Sequence, residues 1–366
     1  MTFRALDLFC GAGGLSIGLR NVGFDVVAGI DGWKPAVESY AANFDHPCFL
    51  EDIKSVNASK IREWGIDPIV DLVVGGPPCQ GFSIQRVGAD TDERNNLIFD
   101  FARIVAELKP RMFLMENVPG LLGKRGLTIA QRFSKSMTAA GYVQYRTILN
   151  AAEFGVPQFR RRVFIVGCQA NLLTSFSFPQ PTHSNSEYRT VRDAIRDLPP
   201  PPDDFTPPPH DPLHRRMRLS PKNLERLSLI PPGGGFEDLP LEMRVNCHRG
   251  GAKKIGHRHV YGRLDPNQPA GTITARFDSF TRGRFAHPWE NRNISLREGA
   301  RLQGFSDDHL FFGTQEDVTA QIGNAVPPKL AEVICQQIFD ALAGRAQETG
   351  QLSLGFSQGL DTPNAA

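Results

Sequence analysis

The chain has 366 residues, 40% of them hydrophobic and 22% charged, with a formal net charge of +2. That is the make-up of an ordinary globular protein with room for about two domains, and no apolar run approaches the ~18 residues of a membrane span. The opening MTFRALDLFCGAGG has no long apolar stretch of the signal-peptide kind, so a cytoplasmic protein is expected.

The six cysteines, Cys10, Cys48, Cys79, Cys168, Cys247 and Cys335, form no CxxC pair. Their scatter argues against a metal site or a disulfide framework and fits a reducing compartment. Charge is unevenly spread. Residues 210–284 hold fourteen Lys and Arg against seven Asp and Glu, an excess of +7 that leaves about −5 for the rest. Such asymmetry suggests a nucleic-acid face, though a solvated basic surface reads the same way.

Residues 3–9, FRALDLF, predict a buried strand. The turn CGAGG at 10–14 and a helix opening over 15–21 follow. A glycine-rich turn between strand and helix is a usual place for a nucleotide-like cofactor. The dinucleotide fingerprint is incomplete, because serine stands at position 16. A second strand, 24–30, ends in Asp31, about 20 residues past the turn, where an acid can accept from ribose hydroxyls. Asp31 equally suits the N-cap of a helix over 34–43. Asp52 ends the short apolar run 50–53 and can accept from an adenine amino group.

Residues 69–74 predict a buried strand running into GGPPCQGFS at 75–83. Pro77 and Pro78 stiffen the turn that presents Cys79. By itself Cys79 reads first as a buried structural thiol beside a turn, and the rest of the chain reverses that reading. The polar stretch 80–95 predicts a mobile functional loop. A helix follows over 97–108, and a strand over 111–115 leads into Glu116, which in isolation reads as a cap or salt-bridge partner. A helix over 126–140 and a strand over 142–150 come next. QFRRRVFIVG at 158–167 sets three arginines at a strand mouth, and strict alternation would turn Arg160 and Arg162 to one face and Arg161 to the other. Residues 176–212 are proline-rich and predict an extended spacer. Residues 210–261 give no clear element, 272–288 is basic with interleaved phenylalanines, and helices are predicted over 296–302 and 328–342. Residues 345–366 predict a disordered tail.

In this order the motifs resemble the DNA (cytosine-5)-methyltransferase family of bacterial modification enzymes. DLFCGAGGLSIGL, Asp31, Asp52-Ile53, GGPPCQGFS, MENVPG, QFRRRVFIVG, REGARLQGF and QIGNAVPPKLA match its blocks along nearly the whole chain. Two departures are small: Asp31 stands where many relatives have glutamate, and Trp33 is one place later than the tryptophan often found beside that acid. The resemblance implies an α/β fold, the Rossmann-like S-adenosylmethionine-dependent methyltransferase fold, with a mostly parallel sheet and a smaller target-recognition domain. It implies residues 1–172 plus 320–344 as the catalytic and cofactor-binding domain, and 173–319 as the recognition domain with its proline-rich spacer near 199–212.

It also implies roles. Cys79 adds to C6 of cytosine, Glu116 gives or shares a proton at N3, and Arg162 and Arg160 hold the base and the carboxylate. S-adenosyl-L-methionine is the implied cofactor. Phe9 would stack on adenine, Gly11 and Gly13 would admit the methionine portion, Asp31 would hold the ribose and Asp52 the adenine amine. Ile53, Pro77, Leu97 and Asn324 complete that pocket, and no metal is implied. The partner is double-stranded DNA, met by a monomer, with a cognate restriction or defence system in the background. Atoms of a stacked base are out of reach, so base flipping is implied, with 80–95 as lid and Gln85 entering the vacated space. Three rivals remain: an RNA (tRNA) cytosine-5 methyltransferase, a non-catalytic DNA-binding relative, and a nicotinamide-dependent dehydrogenase. The long interval between arginine motif and late blocks favours DNA over tRNA, the presence of both Cys79 and Glu116 disfavours the second, and Ser16 the third.

Overall fold

The computed structural model describes residues 2–78, 97–172, 176–248 and 259–345. The expected nucleophile Cys79, the lid 80–95 with Gln85, and the tail beyond 345 lie outside the described residues. The chain divides into two compact units. One is Met1–Leu149, Arg161–Gln180 and the chain from Ala331 on; the other is Asn150–Arg160 and Pro181–Leu330.

The first unit is built on a seven-stranded sheet. Its elements in order are β1 (Arg4–Leu8), α1 (Gly14–Val22), β2 (Asp25–Asp31), α2 (Lys34–Asn43), β3 (Cys48–Leu50), α3 (Ala58–Glu63), β4 (Leu72–Gly75), α4 (Leu97–Leu108), β5 (Met112–Asn117), α5 (Leu127–Ala139), β6 (Tyr142–Asn150) and β7 (Arg161–Gln169). The strand order is β3-β2-β1-β4-β5-β7-β6. All pairs from β3 to β5 are parallel, and β7 runs antiparallel to β5. The central strands read as apolar runs because both faces are covered: Leu72, Val73 and Val74 of β4 and Met112, Phe113, Leu114 and Met115 of β5 are fully buried. The strand order reverses direction between β1 and β4, and in such sheets ligands bind outside the strands' carboxyl ends at that switch.

Register carries the point further. Leu8 pairs with both Ile30 and Gly75, and Gly75 with Met115. The four chain positions that follow, Phe9, Asp31, Gly76 and Glu116, therefore emerge along one edge. The last helix, α10 (Pro328–Leu342), belongs largely to this unit. Phe339 stacks edge-on against Phe3 and Phe24 at 5.1 and 5.2 Å, and Asn21 donates to Glu332 at 2.9 Å.

Some sequence expectations need adjusting. The strand expected over 69–74 starts only at Leu72, and Ile69 is 75% exposed. Ladder pairing with β1 begins at Ala5 opposite Leu72, so the partner's length, and not local hydrophobicity, sets where β4 starts. The arginine motif enters its strand at Arg161, so Arg160 lies outside the ladder and alternation does not govern it.

The second unit has α6 (Val191–Ile195), α7 (Pro221–Ser228), β8 (Gly262–Arg263), β9 (Arg284–Ala286), α8 (Leu296–Gln303) and α9 (Gln315–Asn324). The proline-rich stretch between α6 and α7 forms no helix or strand. Its interior is unusually polar. Arg263 is buried and donates to the carbonyls of Leu227, Ile230, His287 and Glu290, while Arg292 is held by Glu298 and Glu290. No helix among the described residues is long and apolar enough to cross a membrane.

Candidate active site

At the end of β1, Phe9 turns the chain with φ 57, and Gly11 follows at φ 55. Positive φ is rare outside glycine, so the bend at Phe9 is a real constraint. A Cβ on Gly11 would point into open space, leaving that side of the turn free for a ligand. One oxygen of Asp31 accepts from the Gly11 amide at 2.9 Å, and the other accepts from the Trp33 amide at 2.9 Å. Asp31 thus ties the glycine turn to the end of β2, and with three amides on a carboxylate of about four lone-pair sites it keeps accepting capacity to spare. Burial pushes its carboxyl above the usual range, and the amides of Gly11, Trp33 and Gly32 pull it back. Asp52 caps the turn Ile53–Ser55 by accepting from Lys54 at 3.0 Å, and Ile53 is buried beneath it.

Beneath the glycine turn, Asp7 is fully buried. Ser16 donates to one of its oxygens at 2.7 Å, the other has no hydrogen-bond partner, and burial pushes the carboxyl up to about 7.

Glu116 is the last but one residue of β5 and is buried. Arg162, near the start of β7, meets it with Nε 3.0 Å from Oε1. The antiparallel register that sets Glu116 opposite Phe164 brings the two together. Burial works against the Arg162 charge and Glu116 supports it, with a net lowering of the guanidinium's pKa. Gly76 lies against the other carboxylate oxygen: a Cβ there would stand 3.2 Å from Oε2. Pro77 is buried beside it, and its carbonyl accepts from the Asn117 side chain at 3.1 Å. The Asn117 oxygen accepts from the Val118 amide at 2.9 Å. Asn117 therefore couples the segment that precedes Cys79 to the strand that carries Glu116. Sequence reasoning passed over Asn117 and Gly76, although both lie within the motifs it used. Leu97 begins α4 and is half-buried.

Arg160 has a different setting. It is completely buried, and its guanidinium donates to the carbonyls of Ile273 at 3.0 Å and of Gly323 and Ala325 at 2.9 Å. Gln303 also donates to Ala325, at 2.6 Å, and Gln158 ties Leu302, Gln303 and Ile273 together. Asn324, exposed at the end of α9, stands between two carbonyls held by Arg160. The same unit contains a cavity of about 490 Å³ lined by Arg215, Arg216, Arg218, Ser220, Asn223 and Thr281, among others. Arg218 lies 4.4 Å over the ring of Phe205. Among the described residues no group of three or more His, Cys, Asp or Glu is arranged to hold a metal ion.

The comparisons with known proteins bear on this geometry. The C-5 cytosine-specific DNA methylase model matches residues 3–340. Type II methylase M.HgiDII of Herpetosiphon aurantiacus is 33% identical over 352 residues, covering 94% of this chain and 97% of its own. Type II methyltransferase M.NgoFVII of Neisseria gonorrhoeae is 36% identical over 337 residues, covering 89% and 83%. Among solved structures, a prophage-encoded E. coli protein described as a DNA modification methyltransferase superposes with TM-score 0.72 at 27% identity, covering 93% of this chain and 99% of that one. The S. pombe Dnmt2 methyltransferase shares the fold, with TM-score 0.62 at 18% identity. A parallel sheet with an acid and an arginine paired at its carboxyl edge, and a family match over nearly all of its length, lead to one conclusion: the chain belongs to the C-5 cytosine-specific DNA methylase family.

Proposed function

We propose that the protein transfers a methyl group to C5 of a cytosine in a specific double-stranded DNA sequence, as the modification partner of a Type II restriction or defence system. The names of the relatives support the Type II setting. The observation that carries the chemistry is the Glu116–Arg162 pair at 3.0 Å, beside Gly76 and next in the chain to Asn117, whose side chain donates to the Pro77 carbonyl.

S-adenosyl-L-methionine, when bound, supplies an electrophilic methyl group. The residues at the switch of the sheet fit such a molecule, since the Gly11 side of the turn is open and Asp31 keeps lone pairs for ribose hydroxyls. Phe9, Gly11, Gly13, Asp31, Asp52, Ile53, Pro77, Leu97 and Asn324 would hold it.

Cytosine C5 is a weak nucleophile. A Cys79 thiolate that adds to C6 makes C5 enamine-like, and thiolate both attacks and leaves well. Electron density pushed toward N3 calls for a proton there, which Glu116 gives or shares. Arg162 keeps that carboxylate in place through a charge-assisted hydrogen bond and orients the base. Once C5 is alkylated, loss of its proton expels Cys79 and restores the aromatic ring. Arg160 contributes at one remove, by holding the backbone around Asn324. The base must leave the duplex for any of this, so flipping is part of the mechanism. Residues 173–319 serve as the recognition domain, and the basic cavity around Arg215, Arg216 and Arg218 suits phosphate contacts that set the register on DNA.

Cys79→Ser tests the scheme. Methyl transfer to duplex DNA is expected to vanish while S-adenosylmethionine still binds, as read by titration calorimetry. Normal turnover by that variant would overturn the covalent route.

A further inference from the structure

Cys10 and Cys48 form a close pair that the chemistry above does not use. Cys10 opens the turn after β1, with its amide donating to Ile30 at 3.1 Å and its side chain buried. Cys48 begins β3, opposite Gly29 of β2, and is partly exposed. The two sulfurs are 3.6 Å apart. Gly29 makes this meeting possible: a Cβ there would stand 3.0 Å from the Cys10 sulfur. The rings of Tyr40 and Phe44 close the pair from the side.

We propose that Cys10 and Cys48 form a reversible intrachain disulfide under peroxide, and that this bond is a modification site controlling the cofactor turn. The second half of this proposal rests on the assignment of that turn to S-adenosylmethionine.

The partly exposed Cys48 is the sulfur a peroxide meets first. Its thiolate attacks one peroxide oxygen, the O–O bond breaks, and a sulfenic acid and hydroxide result. The Cys10 sulfur then attacks the Cys48 sulfur, the S–O bond breaks, and water leaves with the Cys10 proton. Two thiols have lost two electrons and two hydrogens, and one peroxide has become two waters. Burial pushes the Cys10 thiol well above the ordinary cysteine range, so it is not the first to meet peroxide; its 3.6 Å distance from the Cys48 sulfur is what places it for the resolving step. A disulfide has S–S of about 2.05 Å, so the sulfurs must close by roughly 1.5 Å. Cys48 is anchored in a paired strand, and Cys10 is followed directly by Gly11, whose amide Asp31 holds, so closing the sulfurs bears on the turn.

The test treats the full-length protein with hydrogen peroxide, maps its peptides by mass spectrometry without reduction, and measures S-adenosylmethionine affinity by calorimetry before and after. The expected result is a Cys10–Cys48 linked peptide two hydrogens lighter, with affinity reduced at least fivefold and restored by dithiothreitol. Cys48→Ser should show neither the linked peptide nor the loss of affinity, whatever happens to the other thiols. Absence of the linked peptide in the unmodified protein overturns the proposal. A linked peptide with unchanged affinity overturns its control of the turn. Failure of the reduced protein to bind S-adenosylmethionine would instead count against the cofactor assignment, with the peptide map still deciding the disulfide.

Discussion

Arg160 and Arg162 are two residues apart and do opposite work. Arg162 ends on a carboxylate at the carboxyl edge of the parallel strands, where the pair keeps side-chain exposures of 14% and 10%. Arg160 ends on three backbone carbonyls and is completely buried. The first arrangement can be rearranged by an arriving base, because a charged partner can be shared. The second resists it, because releasing the guanidinium would take a buried donor from three carbonyls at once. Arg263 follows the Arg160 pattern in the same unit, donating to backbone carbonyls, whereas Arg292 is buried there on the carboxylates of Glu298 and Glu290. Arginine thus meets a carboxylate at the sheet's edge in one unit and braces buried backbone in the other.

The sharpest way to break this contrast is by substitution at the edge. Glu116→Gln should lower kcat by about 10²–10⁴-fold, the usual worth of a positioned acid, with the fold retained by circular dichroism. A fall of less than tenfold would make Glu116 a structural partner of Arg162. Arg160→Ala should instead act on stability, by roughly 3 kcal/mol or more, since three carbonyls lose a buried donor at about 1–3 kcal/mol each. Denaturant titration checks it, and full stability with lost activity would return Arg160 to the chemistry.

Titration separates the regions further. In the second unit, burial pushes His287 down to about 4 and Arg292 holds Glu298 down at about 2, although burial opposes the latter. A lowered histidine is bound by a proton more readily unfolded, so stability is lost as pH falls from about 6.5 toward 4; a lowered carboxylate adds a loss from 4.5 toward 2. Asp7 has the opposite sign. Its carboxyl is raised from 3.8 to about 7, so its contribution is lost as pH rises through that interval. Hydrogen exchange by mass spectrometry, corrected for intrinsic rates, should show the second unit loosening between pH 6 and 4, while β1 peptides hold or tighten, a range that follows from the cited shifts. Asp7→Asn should erase the β1 response. The smallest expected effect is Asn117→Ala, at about 1–3 kcal/mol for its two hydrogen bonds, to Pro77 and Val118. A larger drop in kcat than in stability would show that the Pro77 tie serves the reaction.

Much of the first unit was legible. The helices over 34–43, 97–108 and 328–342 and the strand over 142–150 match their observed bounds, because apolar spacing is strong where a helix or strand has a covered face. The second unit was less so. α9 was missed, although Thr314 and Asp317 form a capping box at its start, and α7 was missed despite the Ser220-Pro221 pair that opens it. The basic excess over 210–284 was read as facing outward. Arg226 and Arg263 are in fact buried on internal partners, so part of that charge is not on the surface. Composition counts charges without saying where they point. At the site, the acid and its arginine were legible as motif residues, but their contact depends on the register between β5 and β7, which no local pattern carries.

That register has a consequence for how such a chain tolerates changes in length. Along a strand, successive side chains alternate faces, so one added or deleted residue between Arg162 and Phe164 would send the arginine to the opposite side of the sheet. Two would restore its side but move it a full repeat, about 6.6–6.8 Å, past Glu116. Length variation in this protein is therefore expected to collect in segments outside any ladder, such as the proline-rich stretch between α6 and α7. A deletion scan scored for growth-linked protection of DNA would trace the phase of the strand as a sharp blank at β7.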